Sequence, residues 1–129
     1  MTNADTILGT LSDVAERHGD PTALIYGKLF AAHPALEPLF SMDRDGGVRA
    51  SMVQQAFECI LDYLGPRLTA PQIIASSRQH HDGYGVPAAR FDDFFIAMRD
   101  AIREIMAERW TPAMEREWAG LLREFAAIR

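Results

Sequence analysis

Apolar residues recur three or four positions apart along most of this chain, a spacing that places them on one face of an α-helix. The clearest case is the stretch 48–64, in which Met52, Val53, Ala56 and Ile60 keep the pattern. Alternation with a period of two, which is typical of strands, is almost absent. The pattern therefore predicts an all-α fold of about seven helices, at about residues 5–17, 21–32, 35–39, 48–64, 69–81, 87–109 and from 112 onwards.

Prolines and glycines separate the predicted helices and supply start signals for some of them. Asp20-Pro21 and Thr111-Pro112 each combine a capping residue with the proline favoured at the first helical position. The stretch 69–72, Thr-Ala-Pro-Gln, resembles a capping box, in which two side chains satisfy free backbone donors. Short helices around Gly/Pro corners do not suit a regular up-down bundle. We therefore expect an irregular α-fold with an internal ligand pocket.

Length and composition are those of one compact domain over residues 1–129, whose net charge of −5 comes from 13 basic and 18 acidic residues. The acidic balance argues against binding to nucleic acid, which needs a basic face. No stretch approaches the roughly 18 uncharged apolar residues of a membrane span, and the first residues lack a signal-peptide pattern. Cys59 is the only cysteine, so no intrachain disulfide can form and a cytoplasmic location is the simplest expectation.

The stretch 80–86, His-His-Asp-Gly-Tyr-Gly-Val, combines a metal-binding side chain with a forced turn at the end of a predicted helix. A neutral imidazole is a good ligand for iron, and the turn can fix the orientation of the His81 ring. The alternative is a surface histidine whose charge complements the helix dipole. His80 lies about 100° further round the helix, so both rings cannot enter one pocket. We assign His80 to the rim.

Other residues that can contact a ligand lie on the preceding helices. Tyr26 falls on an apolar face, so its hydroxyl needs a partner that is either a bound ligand or a backbone carbonyl. Phe40 follows a proline-started turn and either stacks on a flat cofactor or packs in the core. Arg49 lies one turn before Val53 at the edge of the core, where it either reaches a ligand or extends to water.

The sequence lacks the motifs of several common sites. It contains no Glu-x-x-His pair for a di-iron bundle, no Cys/His spacing of a zinc finger, and no G-x-G-x-x-G or P-loop. No serine or cysteine nucleophile occurs in a recognisable local context. These absences disfavour the corresponding chemistries, and for His81 the surface interpretation and the ligand interpretation both remain open.

Three segments together resemble one family. The chain resembles the single-domain bacterial globins and the haem domain of flavohaemoglobins. The similarity lies in the order and spacing of the stretch 26–40, from Tyr26 to Phe40, the stretch 81–86, and Trp118 in the last helix. The resemblance covers nearly the whole chain. It implies a globin fold whose helices surround a haem b cofactor.

The resemblance also implies roles for individual residues. His81 would be the proximal iron ligand, and Tyr26 would donate a hydrogen bond to a bound gas. Phe40, Val86 and Phe94 would pack against the haem.

The helix on the distal side of the haem is placed by counting back from the proximal histidine. A spacing of 28 residues, 81 − 28 = 53, puts Val53 over the haem and gives Arg49 the distal position usually held by glutamine or histidine. A shift of one residue would substitute Met52 and Val48.

The resemblance predicts reversible binding of O2, and of NO or CO, at a histidine-ligated iron, for oxygen transport or gas handling by a monomer or homodimer. An alternative is NO dioxygenation with a separate reductase; a further one is a gas-sensing or haem-free module. In flavohaemoglobins a tyrosine and a glutamate support the proximal histidine. Phe91 stands at the tyrosine position, and the chain stops short of the glutamate position. A non-enzymatic role is therefore favoured.

Overall fold

The computed structural model describes residues 3–129, and within them the chain is helical with short connections. It contains six α-helices and two 3₁₀ helices in the described range, of which the second 3₁₀ helix continues α5 directly, giving seven helical segments. In chain order they are α1 (Asn3–Arg17), α2 (Thr22–Ala32), a 3₁₀ helix (Pro34–Phe40), α3 (Gly47–Leu64), α4 (Ala70–Gly83), α5 (Ala88–Met106) with its 3₁₀ extension (Ala107–Arg109), and α6 (Pro112–Ala127). The all-α prediction and the predicted number of helices are confirmed.

The predicted helix starts lie within two residues of the observed ones, but the predicted capping is only partly correct. Helix α2 begins at Thr22 with Pro21 as its N-cap, one residue later than predicted, and the Asp20 carboxylate accepts the backbone N–H of Thr22 at 3.0 Å. Thr111 does cap α6, since its hydroxyl accepts the backbone N–H of Met114 at 3.1 Å. Thr69 makes no side-chain capping bond at the start of α4. The carboxylate of Asp62, from the end of α3, accepts the backbone N–H groups of Thr69 and Ala70 at 3.0 and 2.7 Å instead. A carboxylate is the stronger acceptor, so it displaces the expected threonine cap.

Helix α5 is the centre of the packing, because it contacts α1, α2, α4 and α6. Its residues Met98, Ala101 and Ile102 are fully buried. Burial of a large apolar side chain stabilises a fold by about 1.5–3 kcal/mol, so this one helix contributes much of the core. The site described below lies where α5 meets α2 and α4.

One buried hydrogen bond joins the two ends of the chain. The indole Nε1 of Trp118 donates to the hydroxyl of Thr10 at 3.0 Å, and that hydroxyl donates to the carbonyl of Ile7. Both Trp118 and Thr10 are 0% exposed. A buried indole N–H needs such a partner, so this bond fixes α6 against α1.

None of the described helices combines the length and the apolar character that crossing a membrane would require.

Candidate functional site

A cavity of about 450 Å³ opens between α2, the 3₁₀ helix, α3, α4 and α5. Its walls are mainly aliphatic and aromatic side chains, among them Leu29, Leu36, Ile74, Phe91 and Phe95. Pockets that hold cofactors commonly measure about 300–1,000 Å³ and combine apolar walls with a few polar groups. The polar groups of this cavity therefore decide what it can bind.

His81 is one of these polar groups, and its ring is held in one tautomer. Its Nδ1 lies 2.7 Å from the carbonyl oxygen of Ser77, one turn earlier on α4. A carbonyl can only accept, so Nδ1 carries the proton, and in the neutral ring Nε2 keeps its lone pair. Since His81 lines the cavity, the ring has the protonation pattern that metal ligation requires.

The backbone corner after His81 helps to hold the ring in place. Gly85 adopts a left-handed φ of 84°, and the carbonyl of His81 accepts the N–H groups of Tyr84 and Val86 at 3.0 and 2.9 Å. With the bond from Gly85 to the Asp82 carbonyl, this forms a Schellman motif, which ends helices at a glycine. Helix α4 therefore ends two residues beyond His81, at Gly83.

His80 and Val86 take their predicted positions beside the cavity. The His80 ring is exposed and packs edge-on against Tyr84 at 4.9 Å. Both residues border the cavity at its rim, so the expectation that only one of the two histidines reaches the pocket is met only in part. Val86 contributes to the cavity wall immediately after the turn. The two adjacent histidines thus occupy different environments, since only His81 has its Nδ1 bonded to Ser77.

Tyr26 brings a hydroxyl into the cavity from α2. The residue is 3% exposed, and its ring packs against those of Phe30, Phe40 and Phe94 at centroid distances of 5.6, 5.2 and 5.8 Å. Its hydroxyl donates to the thioether of Met52 at 3.7 Å. Burial raises the pKa of the Tyr26 hydroxyl far above its ordinary value, so the group is a neutral donor at all physiological pH values.

The structure favours the shifted assignment of the distal helix. Val48 and Met52 line the cavity. Val53, which the counted spacing placed over the haem, is instead packed into the hydrophobic core at 2% exposure. Arg49, which was assigned the distal position, donates from Nε to Asp43 Oδ2 at 3.0 Å and from Nη2 to the Asp43 carbonyl at 2.9 Å.

Two features of α3 account for the shift. Its residues Val53 and Ile60 are buried in the hydrophobic core, which leaves Val48 and Met52 directed at the cavity. The carboxylate of Asp43 accepts the backbone N–H groups of Val48 and Arg49 at 2.9 and 3.0 Å, and the Arg49 side chain turns back to the same aspartate instead of entering the cavity.

Cys59 also lines the cavity, which makes its thiol an alternative metal ligand. Burial raises the pKa of this thiol to about 11, with a smaller contribution from the charge of Asp62. The thiolate is the form that binds metals, and it is scarce at neutral pH. Cys59 is therefore an apolar wall residue, and His81 is the better candidate for a metal ligand.

Sequence reasoning missed Ser77 and Arg78. Ser77 lies four residues before His81, so helical geometry alone places its carbonyl near the histidine ring. Arg78 is buried one turn from His81, whereas most arginines are exposed, and the sequence offers no direct signal for this burial.

A family model described as Globin matches residues 23–128 of the 129-residue chain. The chain belongs to the globin family. Membership in this family implies haem-based binding of diatomic gases. A search of curated proteins found no match to this globin, and a search of solved structures found none either.

The side chains of this globin fit a haem group. The cavity offers apolar walls for a flat ring and the His81 imidazole, whose Nδ1 is bonded to the Ser77 carbonyl so that Nε2 is the nitrogen left for iron. Phe40 and Phe94 line the same cavity and supply aromatic surface. Tyr26 supplies the hydroxyl donor for a small polar ligand. This set matches what haem ligation by a proximal histidine requires.

Proposed function

We propose that this globin binds haem b with His81 as the proximal ligand and reversibly binds O2, together with NO and CO. Ferrous haem supplies an open coordination position for diatomic gases. The observation that carries the proposal is the bond from His81 Nδ1 to the Ser77 carbonyl, which leaves Nε2 for iron in a cavity that also contains the Tyr26 hydroxyl.

The protein's own residues would perform three tasks. His81 would hold the iron, with its ring orientation fixed by Ser77 and by the corner at Gly85. Tyr26 would donate its proton to the gas and slow its release. The apolar walls would exclude water, which limits oxidation of the iron.

The proximal geometry supports gas binding over NO dioxygenation. The His81 Nδ1 bonds to a neutral carbonyl, and the ring's neighbour on α5 is the phenyl ring of Phe91 at 5.4 Å. A carboxylate partner would make the imidazole more electron-donating than a carbonyl does. A haem-free role is less well supported, because bulky side chains do not fill the cavity of about 450 Å³.

The test is absorption and resonance Raman spectroscopy of the purified protein loaded with hemin. We expect a Soret band, an iron–histidine stretch in the ferrous form, and a shifted spectrum with O2 or CO. His81→Gly should lose the iron–histidine stretch, and added imidazole should restore it by occupying the vacated space. His80→Ala is the matched control, because it removes an adjacent exposed histidine and should leave the stretch unchanged. An unchanged stretch in His81→Gly would contradict the proposal.

A further inference from the structure

Arg78 is a buried cation close to the proximal histidine. Its side chain is 7% exposed, and its Nη1 pairs with the Asp92 carboxylate at 2.8 Å. Its Nε and Nη2 donate to the carbonyls of Ile128 and Phe125 at 3.0 and 2.9 Å. The guanidinium therefore joins α4, α5 and the end of α6. Burying a charge without partners costs free energy, so the bonds of Arg78 to three other groups are what allows it to be buried here.

The position of Arg78 connects it to His81 in two ways. It lies three residues earlier on α4, so the two side chains share a helix face. Its guanidinium carbon also lies 4.8 Å from the centroid of the Phe91 ring, and that ring lies 5.4 Å from the ring of His81. The guanidinium and the imidazole thus both pack against the same phenyl ring.

A buried charge at this place has an electrostatic consequence for a histidine-bound haem. Ferric haem carries one more positive charge than ferrous haem, and screening by solvent is weak around buried groups. The Arg78 charge therefore disfavours the ferric form, whereas the Asp92 carboxylate favours it. The fork of N–H donors on the Arg78 guanidinium, which bonds Asp92 and the carbonyls of Phe125 and Ile128, also fixes α4 against α5 and α6. This fork therefore fixes how far His81 reaches into the cavity.

We propose that Arg78 is a positioning residue for His81 and that the Arg78–Asp92 pair sets the ferric–ferrous equilibrium of the haem. The proposal rests on the function proposed above, because it requires a haem held by His81. It differs from a merely structural role of Arg78, which would affect stability without a defined effect on the iron.

The experiment compares variants by spectroelectrochemistry and by the iron–histidine stretch. Arg78→Met removes the charge and the fork, Arg78→Lys keeps the charge alone, and Asp92→Asn removes the opposing charge. We expect Arg78→Met to shift the equilibrium roughly three- to tenfold towards ferric haem, and Asp92→Asn to shift it by a similar factor towards ferrous haem. Arg78→Lys should change the equilibrium less than twofold while it alters the stretching frequency.

A matched control is Arg99→Met, which removes an arginine from an ion pair with Asp100. Both readouts should stay as in the wild type. Shifts in the same direction for Arg78→Met and Asp92→Asn, or no shift in either, would overturn the proposal. If Arg78→Met does not fold, Asp92→Asn decides, because a shift towards ferrous haem supports the proposal and any other result overturns it. A wild type without a Soret band would contradict the proposed function itself.

Discussion

Tyr26 is surrounded by three aromatic rings, and its hydroxyl meets the thioether of Met52, one of the weakest acceptors among side chains. A partially charged gas ligand is a better acceptor than a thioether. Without a ligand the Tyr26 hydroxyl therefore donates to the Met52 thioether, and it can donate to a bound gas instead when one enters the cavity.

At the residue scale, the first prediction concerns this donor. Tyr26→Phe should speed O2 release by about tenfold or more, because a hydrogen bond to a polar ligand contributes about 1–3 kcal/mol. CO release should change much less, since CO is a poor acceptor. Flash photolysis and stopped-flow mixing measure both rates. Tyr63→Phe is the control, because the Tyr63 hydroxyl donates to Glu124 at 2.8 Å instead. Equal effects of the two substitutions would contradict the assignment.

A second prediction concerns Met52. Met52→Leu keeps the size of the side chain but removes the competing acceptor, so O2 release should slow by roughly two- to fivefold. In a Tyr26→Phe background the same substitution should have no effect, which makes a double-mutant cycle the test. Met98→Leu, a similar exchange in the buried core, should leave O2 release unchanged. An effect of Met52→Leu that persists without the Tyr26 hydroxyl would exclude this mechanism.

The sequence predicted which residues of α2 and α4 line the cavity better than it predicted those of α3. His81 and Tyr26 could be placed from a glycine corner and from an apolar helix face, both of which are local signals. The distal pair could not be placed, because 48 and 52 have the same four-residue spacing as 49 and 53. The choice depends on the rotation of α3 about its axis, which follows from the packing of Val53 and Ile60 into the core and from the bonds of Arg49 to Asp43. Whether Val48 and Met52 contact a haem remains a prediction.

At the scale of elements, the two helices that flank the cavity begin in the same way. Asp43 accepts backbone N–H groups at the start of α3, and Asp62 does so at the start of α4. These backbone bonds are the main reason that the pKa of each carboxyl is lowered. The sequence-based prediction of a capping box missed Asp62, because that residue lies in the preceding helix and reaches α4 only after the chain turns.

The third prediction follows from the lowered pKa of Asp62. A carboxyl group with a lower pKa in the folded state stabilises the fold above the pKa of the unfolded chain, about 3.9. That stabilisation is lost as the pH falls through the folded-state pKa. Asp62→Asn should therefore melt several degrees lower than the wild type at pH 7, and the gap should close at acid pH. Circular dichroism melts from pH 3 to 8 measure this.

The control for Asp62 lies at the other end of α4, the helix whose start Asp62 caps. Asp82 is exposed near the C-terminus of α4, where a negative charge is unfavourable. Asp82→Asn should therefore not lower the melting temperature at pH 7. A pH-independent difference between Asp62→Asn and the wild type would contradict the capping explanation.

A fourth prediction concerns the bond between α1 and α6. Thr10→Val keeps the shape of the side chain but leaves the Trp118 indole N–H buried without a partner, which should cost about 1–3 kcal/mol of unfolding free energy. Thr10→Ser keeps the hydroxyl and should cost clearly less. Urea denaturation followed by tryptophan fluorescence measures both. Equal stabilities of the Val and Ser variants would show that the hydrogen bond contributes little.

For the whole molecule, the cavity is a structural cost as well as a binding site. Protein interiors are normally close-packed, and a void deprives its lining of contacts. Here a cavity of about 450 Å³ lies inside a chain of only 129 residues. The all-α fold followed from the helical spacing. The cavity could be expected only from the Gly/Pro corners and the family resemblance, because its size depends on how helices distant in sequence pack.

The fifth prediction separates the two ways in which haem would stabilise this fold. A ring that fills the cavity buries apolar surface, whereas the iron adds a bond to His81; any ligand of the folded state raises Tm with its affinity. Hemin should therefore raise Tm more than iron-free protoporphyrin IX does in the wild type and in His80→Ala. In His81→Ala the two compounds should raise Tm equally, because only ring burial remains. If hemin keeps its advantage in His81→Ala, another side chain holds the iron. If neither compound raises Tm in any variant, the cavity does not take a porphyrin.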